Sequence, residues 1–167
     1  MVGKFALLLF PLLMAFAASS DLLTMRISNR VVLLLVAIFC AMAVGLNMPL
    51  QEFGLHVACA TIVLIVAFAF FAFGWIGGGD AKLAAATTFW LGFGVTLDYL
   101  LYASLIGGMM TLVILTARSW PLPTFMSRIV WVERLHNRKT GIPYGIALAI
   151  AGLIAYSDTT VFQRLAN

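Results

Sequence analysis

Two aspartates stand at the edges of long apolar stretches: Asp21 follows residues 5–19, and Asp80 follows residues 54–76. An ionisable group at membrane depth costs about 2.5–3.5 kcal/mol on insertion scales, so each marks a functional site by default. Asp80 closes the run Gly77-Gly78-Gly79-Asp80, whose glycines strip side chains from beside the carboxylate and permit backbone turns closed to other residues. Such a run leaves room for an extended chain to approach. Two carboxyl groups in close proximity cannot both ionise easily, because like charge raises one pKa while the other stays low. The proton they share then belongs to the pair. Such a pair can hydrolyse a peptide bond. The ionised member takes a proton from water, and the protonated member hydrogen-bonds the scissile carbonyl and later donates. Structural roles stand beside this chemistry: Asp21 as a solvated helix-end residue, and Asp80 as the amino-terminal cap of the next helix.

The elements that must position the pair are set by composition. The 167 residues are 63% hydrophobic and 10% charged, with a mean hydropathy of +1.09. A soluble domain of that size needs a more polar surface, so the chain reads as an all-α, polytopic membrane helix bundle. Six apolar stretches are expected to span: residues 5–19, 31–46, 54–76, 81–97, 99–117 and 142–156. Several lie at or below the lower limit of about 17 residues, so flanking groups must snorkel or the bilayer must thin. Little chain remains between them, and residues 1–167 are expected to form one domain. No internal repeat is evident.

The net charge of +4 is a topology signal rather than a nucleic-acid signal. With the amino terminus outside, Arg26, Arg30, Lys82, Arg118, Arg128, Arg134, Arg138 and Lys139 fall on the cytoplasmic side, leaving Lys4 and Arg164 outside. The first and third spans then run parallel, which brings Asp21 and Asp80 to the same cytoplasmic boundary. Glu52, Asp98 and Asp158 fall outside, and Glu133 sits in the basic segment 118–140. Asn47-Met48-Pro49 reads as one outer turn and Leu97-Asp98 as another.

In the basic segment, Leu122, Phe125, Met126, Ile129 and Val132 recur at helical spacing, with Arg128, Arg134 and Arg138 opposite. The pattern fits a short interfacial helix, although Glu133 falls inside its apolar arc; an ordinary basic loop fits as well. Lys4, the apolar residues 5–13 and Ala15-Phe16-Ala17 have the pattern of a secretory signal. Cleavage there would place Arg26 and Arg30 outside, so a retained first span is the expectation.

Other chemistries lack parts. Cys40 and Cys59 lie inside apolar stretches without metal or disulfide spacing, so no metal and no cofactor is expected. No H-E-x-x-H occurs, and His56 and His136 fall on opposite sides. No G-x-S-x-G elbow is present, and the glycine run is no dinucleotide fingerprint because no strand precedes it. Two rivals to hydrolysis remain. A proton-coupled transporter would use the aspartates as a relay, although such sites usually lie nearer the midplane and between repeated halves. A non-catalytic assembly scaffold would need the spans but not the aspartates.

These residues resemble the type IV prepilin peptidases, a family of intramembrane aspartyl proteases. Gly77-Gly78-Gly79-Asp80 matches the family's Gly-x-Gly-Asp motif, and Lys82 its lysine two residues beyond. Asp21 with Ile27-Ser28-Asn29 is similar to the first catalytic aspartate and its Ile-Pro-Asn-like turn, with Ser28 in place of proline. Pro143-Tyr144-Gly145 looks like the motif of the last span. The resemblance implies Asp21 and Asp80 as the catalytic pair, with Gly77, Gly78, Gly79, Lys82, Asn29, Pro143, Tyr144 and Gly145 in support. Lys82 then meets Asp80 or lipid phosphate, or anchors the helix start; Pro143 and Gly145 loosen the last span for an extended substrate, and Tyr144 is an alternative interface aromatic.

It further implies removal of a short basic leader from a prepilin at the cytoplasmic face of a bacterial inner membrane. Lipid and pilus-assembly proteins are the implied partners. The chain has no CxxC pair of the kind carried by bifunctional members, so it looks like the small Flp/Tad-type branch, with proteolysis and no methyl transfer. The basic segment would repel a basic leader unless anionic lipid masks it.

Overall fold

A computed structural model describes residues 2–166; the side chains of residues 2–5, and with them the outer placement expected for Lys4, lie outside the described set. Eight helices and no strand occur among the described residues: α1 (Val2–Thr24), α2 (Asn29–Gly45), α3 (Leu50–Ala72), α4 (Gly78–Leu91), α5 (Phe93–Ala117), α6 (Val130–His136), α7 (Gly145–Tyr156) and α8 (Thr160–Ala166). Apolar segments with few polar partners must satisfy their backbone internally, and helices do so.

The ends of the helices carry their own stop signals. Ser28, the residue standing where the resembling motif has proline, caps α2: its Oγ accepts from the Arg30 N–H at 3.2 Å. Asn47, at φ 50°, ends α2, with the Met48 N–H reaching Ala43 O and the Asn47 N–H reaching Val44 O. Gly74, at φ 75°, ends α3 the same way, with Trp75 N–H to Phe70 O and Gly74 N–H to Phe71 O.

The centre of the bundle is α4. Ala81 and every residue from Leu83 to Leu91 are buried, so this helix is covered on all sides beyond its first turn, among α2, α3, α5 and α7. Its carboxyl end sits in an aromatic cluster. Phe39 lies 4.4 Å from Phe89 and 5.6 Å from Trp90, and Phe10 lies 5.1 Å from Trp90 and 4.6 Å from Tyr156 between ring centroids. The indole Nε1 donates to Leu35 O at 2.9 Å, and His56 Nδ1 donates to Phe89 O at 2.8 Å. His56 is thus a packing residue of this end. Near it, Arg164 of α8 pairs with Glu52 of α3 at 2.8 Å.

Three expectations change. Among the described residues, three helices (α1, α3 and α5) are long and apolar enough to cross a membrane, or four if the α7–α8 pair, bent by 56°, counts as one broken span. Six were expected. The reason is that α4 has 14 residues, about 21 Å, and buries itself in protein, while α2 has 17. Second, the first helix runs through Asp21 to Thr24 instead of stopping near residue 19. Third, Leu97-Asp98 lies within α5; the α4–α5 break falls at Gly92, at φ 68°, where an added Cβ would come within 3.0 Å of the His56 ring. Of the two readings open for the segment after α5, each holds for a part: Leu122, Phe125 and Met126 lie in loop and turn conformation, and Val130–His136 forms one helix of seven residues.

Candidate active site

At the end of the bundle opposite the aromatic cluster, the last turn of α1, the end of α3, the start of α4, the end of α5 and the start of α7 converge. They enclose a cavity of about 760 Å³ whose walls include Asp21, Ile76, Gly77, Asp80, Arg118 and Tyr144. Antiparallel packing of consecutive helices explains why these residues, distant in the chain, share one end.

Asp21 is 5% exposed. Its Oδ2 accepts the Gly145 N–H at 2.8 Å, so it rests on the amino terminus of α7, where unpaired N–H groups favour an anion. Gly145 is required by this contact: a Cβ there would stand 2.8 Å from Asp21 Oδ2 and 2.9 Å from Ile27 Cδ1. Asp80 lies in the first turn of α4, so it too sits at a helix amino terminus. Two helix dipoles therefore point at one cavity that holds two carboxyl groups, which offsets part of the like-charge repulsion.

Each glycine before Asp80 has its own contact. A Cβ on Gly77 would come within 2.7 Å of Asp80 Oδ2, one on Gly78 within 3.2 Å of the Phe71 ring, and one on Gly79 within 3.2 Å of Ile27 Cβ. The run was expected to take turns closed to other residues, but none of the three has positive φ; Gly74 supplies that conformation. Close approach explains the run instead. Ile27 touches the space of both Gly79 and Gly145, and so packs between the two aspartate-bearing segments.

The remaining expected residues divide. Tyr144 lines the cavity, and its ring packs directly on Gly107 of α5. Pro143 is fully buried just before α7, at the start of the last span, and the Gly145 N–H holds Asp21. Lys82 and Asn29 do not line the cavity. Lys82 Nζ donates to Asn29 Oδ1 at 3.1 Å, which joins α4 to α2 in place of a contact with Asp80.

Among the cavity residues that went unread in the sequence, a charged one stands out. Arg118 was taken as a topology charge at the end of an apolar stretch, but it is buried. Its Nε donates to Leu135 O at 2.8 Å and its terminal nitrogen to Gly141 O at 3.0 Å, so it clamps the segment that covers the cavity. Only the position after a long apolar run signalled it, and a surface anchor has the same signal. Among the described residues, no group of three His, Cys, Asp or Glu side chains is arranged to hold a metal ion.

A helical bundle with two buried-end carboxyl groups in one polar cavity fits a hydrolytic membrane protein. The chain matches the model of the type IV leader peptidase family over residues 8–112 and belongs to that family. The match includes both Asp21 and Asp80, whereas Arg118 and Gly145 lie beyond it. No curated protein and no solved structure matches the chain. Membership makes the protein a peptidase, with apolar helices that suit a membrane.

Proposed function

We propose that this protein is an intramembrane aspartyl endopeptidase that removes the short leader of a type IV or Flp-like prepilin, with Asp21 and Asp80 as the catalytic pair. One observation carries the reading: in a leader peptidase, Asp21 of α1 and Asp80 of α4 line the same cavity. One carboxylate takes a proton from water as the water attacks the scissile carbonyl. The other carboxyl hydrogen-bonds the developing oxyanion and then protonates the leaving amine. Gly145 N–H holds Asp21 in place, so it acts as a positioning group. Gly77 and Gly79 keep the Asp80 turn close to its neighbours, and Tyr144 borders the substrate space.

The site lies near the cytoplasmic face of a bacterial inner membrane in this reading, on the basic side of the bundle. Lipid surrounds the exposed helix faces, and pilus-assembly proteins receive the product. Cys40 and Cys59 lack a CxxC spacing, and the reaction proposed is proteolysis without methyl transfer.

Cleavage of a prepilin by membranes containing wild-type, Asp21→Asn or Asp80→Asn protein tests this. Asparagine keeps the size and loses the ionisable group, and each variant should cleave about 10²–10⁴-fold more slowly. Cleavage at the wild-type rate by either variant would remove the pair from the mechanism.

A further inference from the structure

The carboxylate cavity is charged unevenly. Among the residues that line it, Asp21 and Asp80 are the acids and Arg118 is the one cation. The opposite charges do not meet: among the described residues, the one ion pair within 4.0 Å joins Arg164 to Glu52. Arg118 is 8% exposed, so its charge is largely withdrawn from water. A buried cation without a counter-charge is costly, and neutral hydrogen-bond partners offset only part of that cost.

The guanidinium commits two of its three nitrogens to the chain. Nε donates to Leu135 O at 2.8 Å, and Nη2 donates to Gly141 O at 3.0 Å and, at 3.5 Å, to Thr140 Oγ1. Nη1, with two N–H groups, donates to nothing among the described residues. The sealed side-chain atoms without a partner are the Tyr99 and Tyr156 hydroxyls, so Nη1 still reaches open space, and Arg118 borders the cavity. Neighbouring hydroxyls have spent their protons: Thr111 Oγ1 donates to Gly107 O at 2.7 Å and Thr140 Oγ1 to Asn137 O at 2.8 Å. A planar guanidinium already fixed by two carbonyls is preset to receive a carboxylate.

Hydrolysis delivers such a carboxylate into this cavity. The oxygen of water adds to the scissile carbonyl carbon and the C–N bond breaks. The nitrogen leaves as an amine, and the carbonyl carbon ends as a carboxylic acid that releases a proton. The new carboxylate belongs to the amino-terminal fragment, and it arises beside two acidic groups that repel it. We infer that Arg118 binds this product: its free Nη1 takes the new carboxylate of the released leader and draws it off Asp21 and Asp80. This inference rests on the leader-peptidase reading and adds where the leader goes after the cut. The attraction begins only once the bond is broken, because an uncut peptide carries a neutral amide at that place. Arg118 therefore separates product from the pair, and accumulated leader inhibits the enzyme.

Two synthetic leader peptides that end at the scissile bond test this, one with a free C-terminal carboxylate and one with a C-terminal amide. Each carries a fluorophore at its amino terminus, and anisotropy with the full chain in detergent micelles gives Kd without a cleavage step. Wild type should bind the carboxylate form at least about tenfold tighter, as a charge-assisted hydrogen bond in a buried site implies. In Arg118→Gln that preference should be lost, because Asp21 and Asp80 remain and repel the charge. Lys139→Gln removes a charge from the same basic segment, at an exposed position outside the cavity, and should keep the wild-type preference. Equal Kd for the two peptides in wild type would overturn the assignment, and that comparison needs no variant to fold. A preference that survives Arg118→Gln, or that vanishes in Lys139→Gln, would overturn it as well. A wild-type protein that binds the carboxylate peptide but fails to cleave any prepilin would instead overturn the leader-peptidase reading itself.

Discussion

The two ends of α4 meet opposite surroundings. At the carboxyl end, Phe89 and Trp90 are packed by Phe39, Phe10 and Tyr156, with His56 and Leu35 supplying and receiving hydrogen bonds. At the amino end, glycines replace the aromatics, a cavity opens, and two carboxyl groups occupy it. One end excludes solvent by filling space; the other keeps space and controls it through backbone contacts. The difference teaches how a small bundle tolerates a polar cavity. The dense end supplies the burial that the open end forgoes, because filled aromatic contacts carry the larger share of packing energy. With Asp21 and Asp80 as the proposed catalytic pair, stability and chemistry are thereby separated along a single 14-residue helix.

That separation can be broken from either side. The largest effect on stability should come from Trp90→Ala at the dense end. Trp90 is 0% exposed, and such truncations cost about 3–5 kcal/mol. Thermal unfolding in detergent should show the loss, while the surviving folded fraction cleaves substrate with a near-normal KM. At the open end the order reverses. Gly145→Ala should leave unfolding within about 1–2 kcal/mol of wild type, since the site borders a cavity that can yield. Its cleavage rate should nonetheless fall about 10- to 100-fold, because the new methyl displaces Asp21 from its N–H partner.

A smaller effect should follow Arg118→Lys. A lysine cannot reach both Leu135 O and Gly141 O in the planar fork that arginine uses. Losing one charge-assisted bond costs about 1.5–3 kcal/mol locally when buried, less where water replaces it. Limited proteolysis within residues 118–141 should accelerate, with global unfolding little changed.

Much of this layout was legible in the residues. Composition alone implied helices, and parallel first and third segments put Asp21 and Asp80 at one end, where they line one cavity. The helix breaks were harder. Gly92 lies in an apolar stretch, and its stop depends on the His56 ring and on a positive φ, neither of which hydropathy records. Asp98 gave a stronger polar signal and drew the boundary to the wrong place, because a charge at a membrane edge looks like a turn whether or not the helix continues. The apolar spacing of Leu122 to Val132 suggested a longer helix than the seven residues formed; Pro121 and Pro123 remove backbone donors just ahead of it. The partners of Asp21 and Arg118 were invisible for another reason. Gly145 and Leu135 contribute only backbone atoms, and a backbone donor or acceptor leaves no trace in residue type.

The central claim is that Asp21 and Asp80 work as one unit, and a double-mutant cycle on prepilin cleavage tests it most directly. Asp21→Asn, Asp80→Asn and the double variant are compared with wild type in the same membranes. The account predicts that each single variant loses nearly all cleavage and that the double variant falls little further, since either loss already disables the pair. Losses that multiply, or a single variant that cleaves at the wild-type rate, would contradict it.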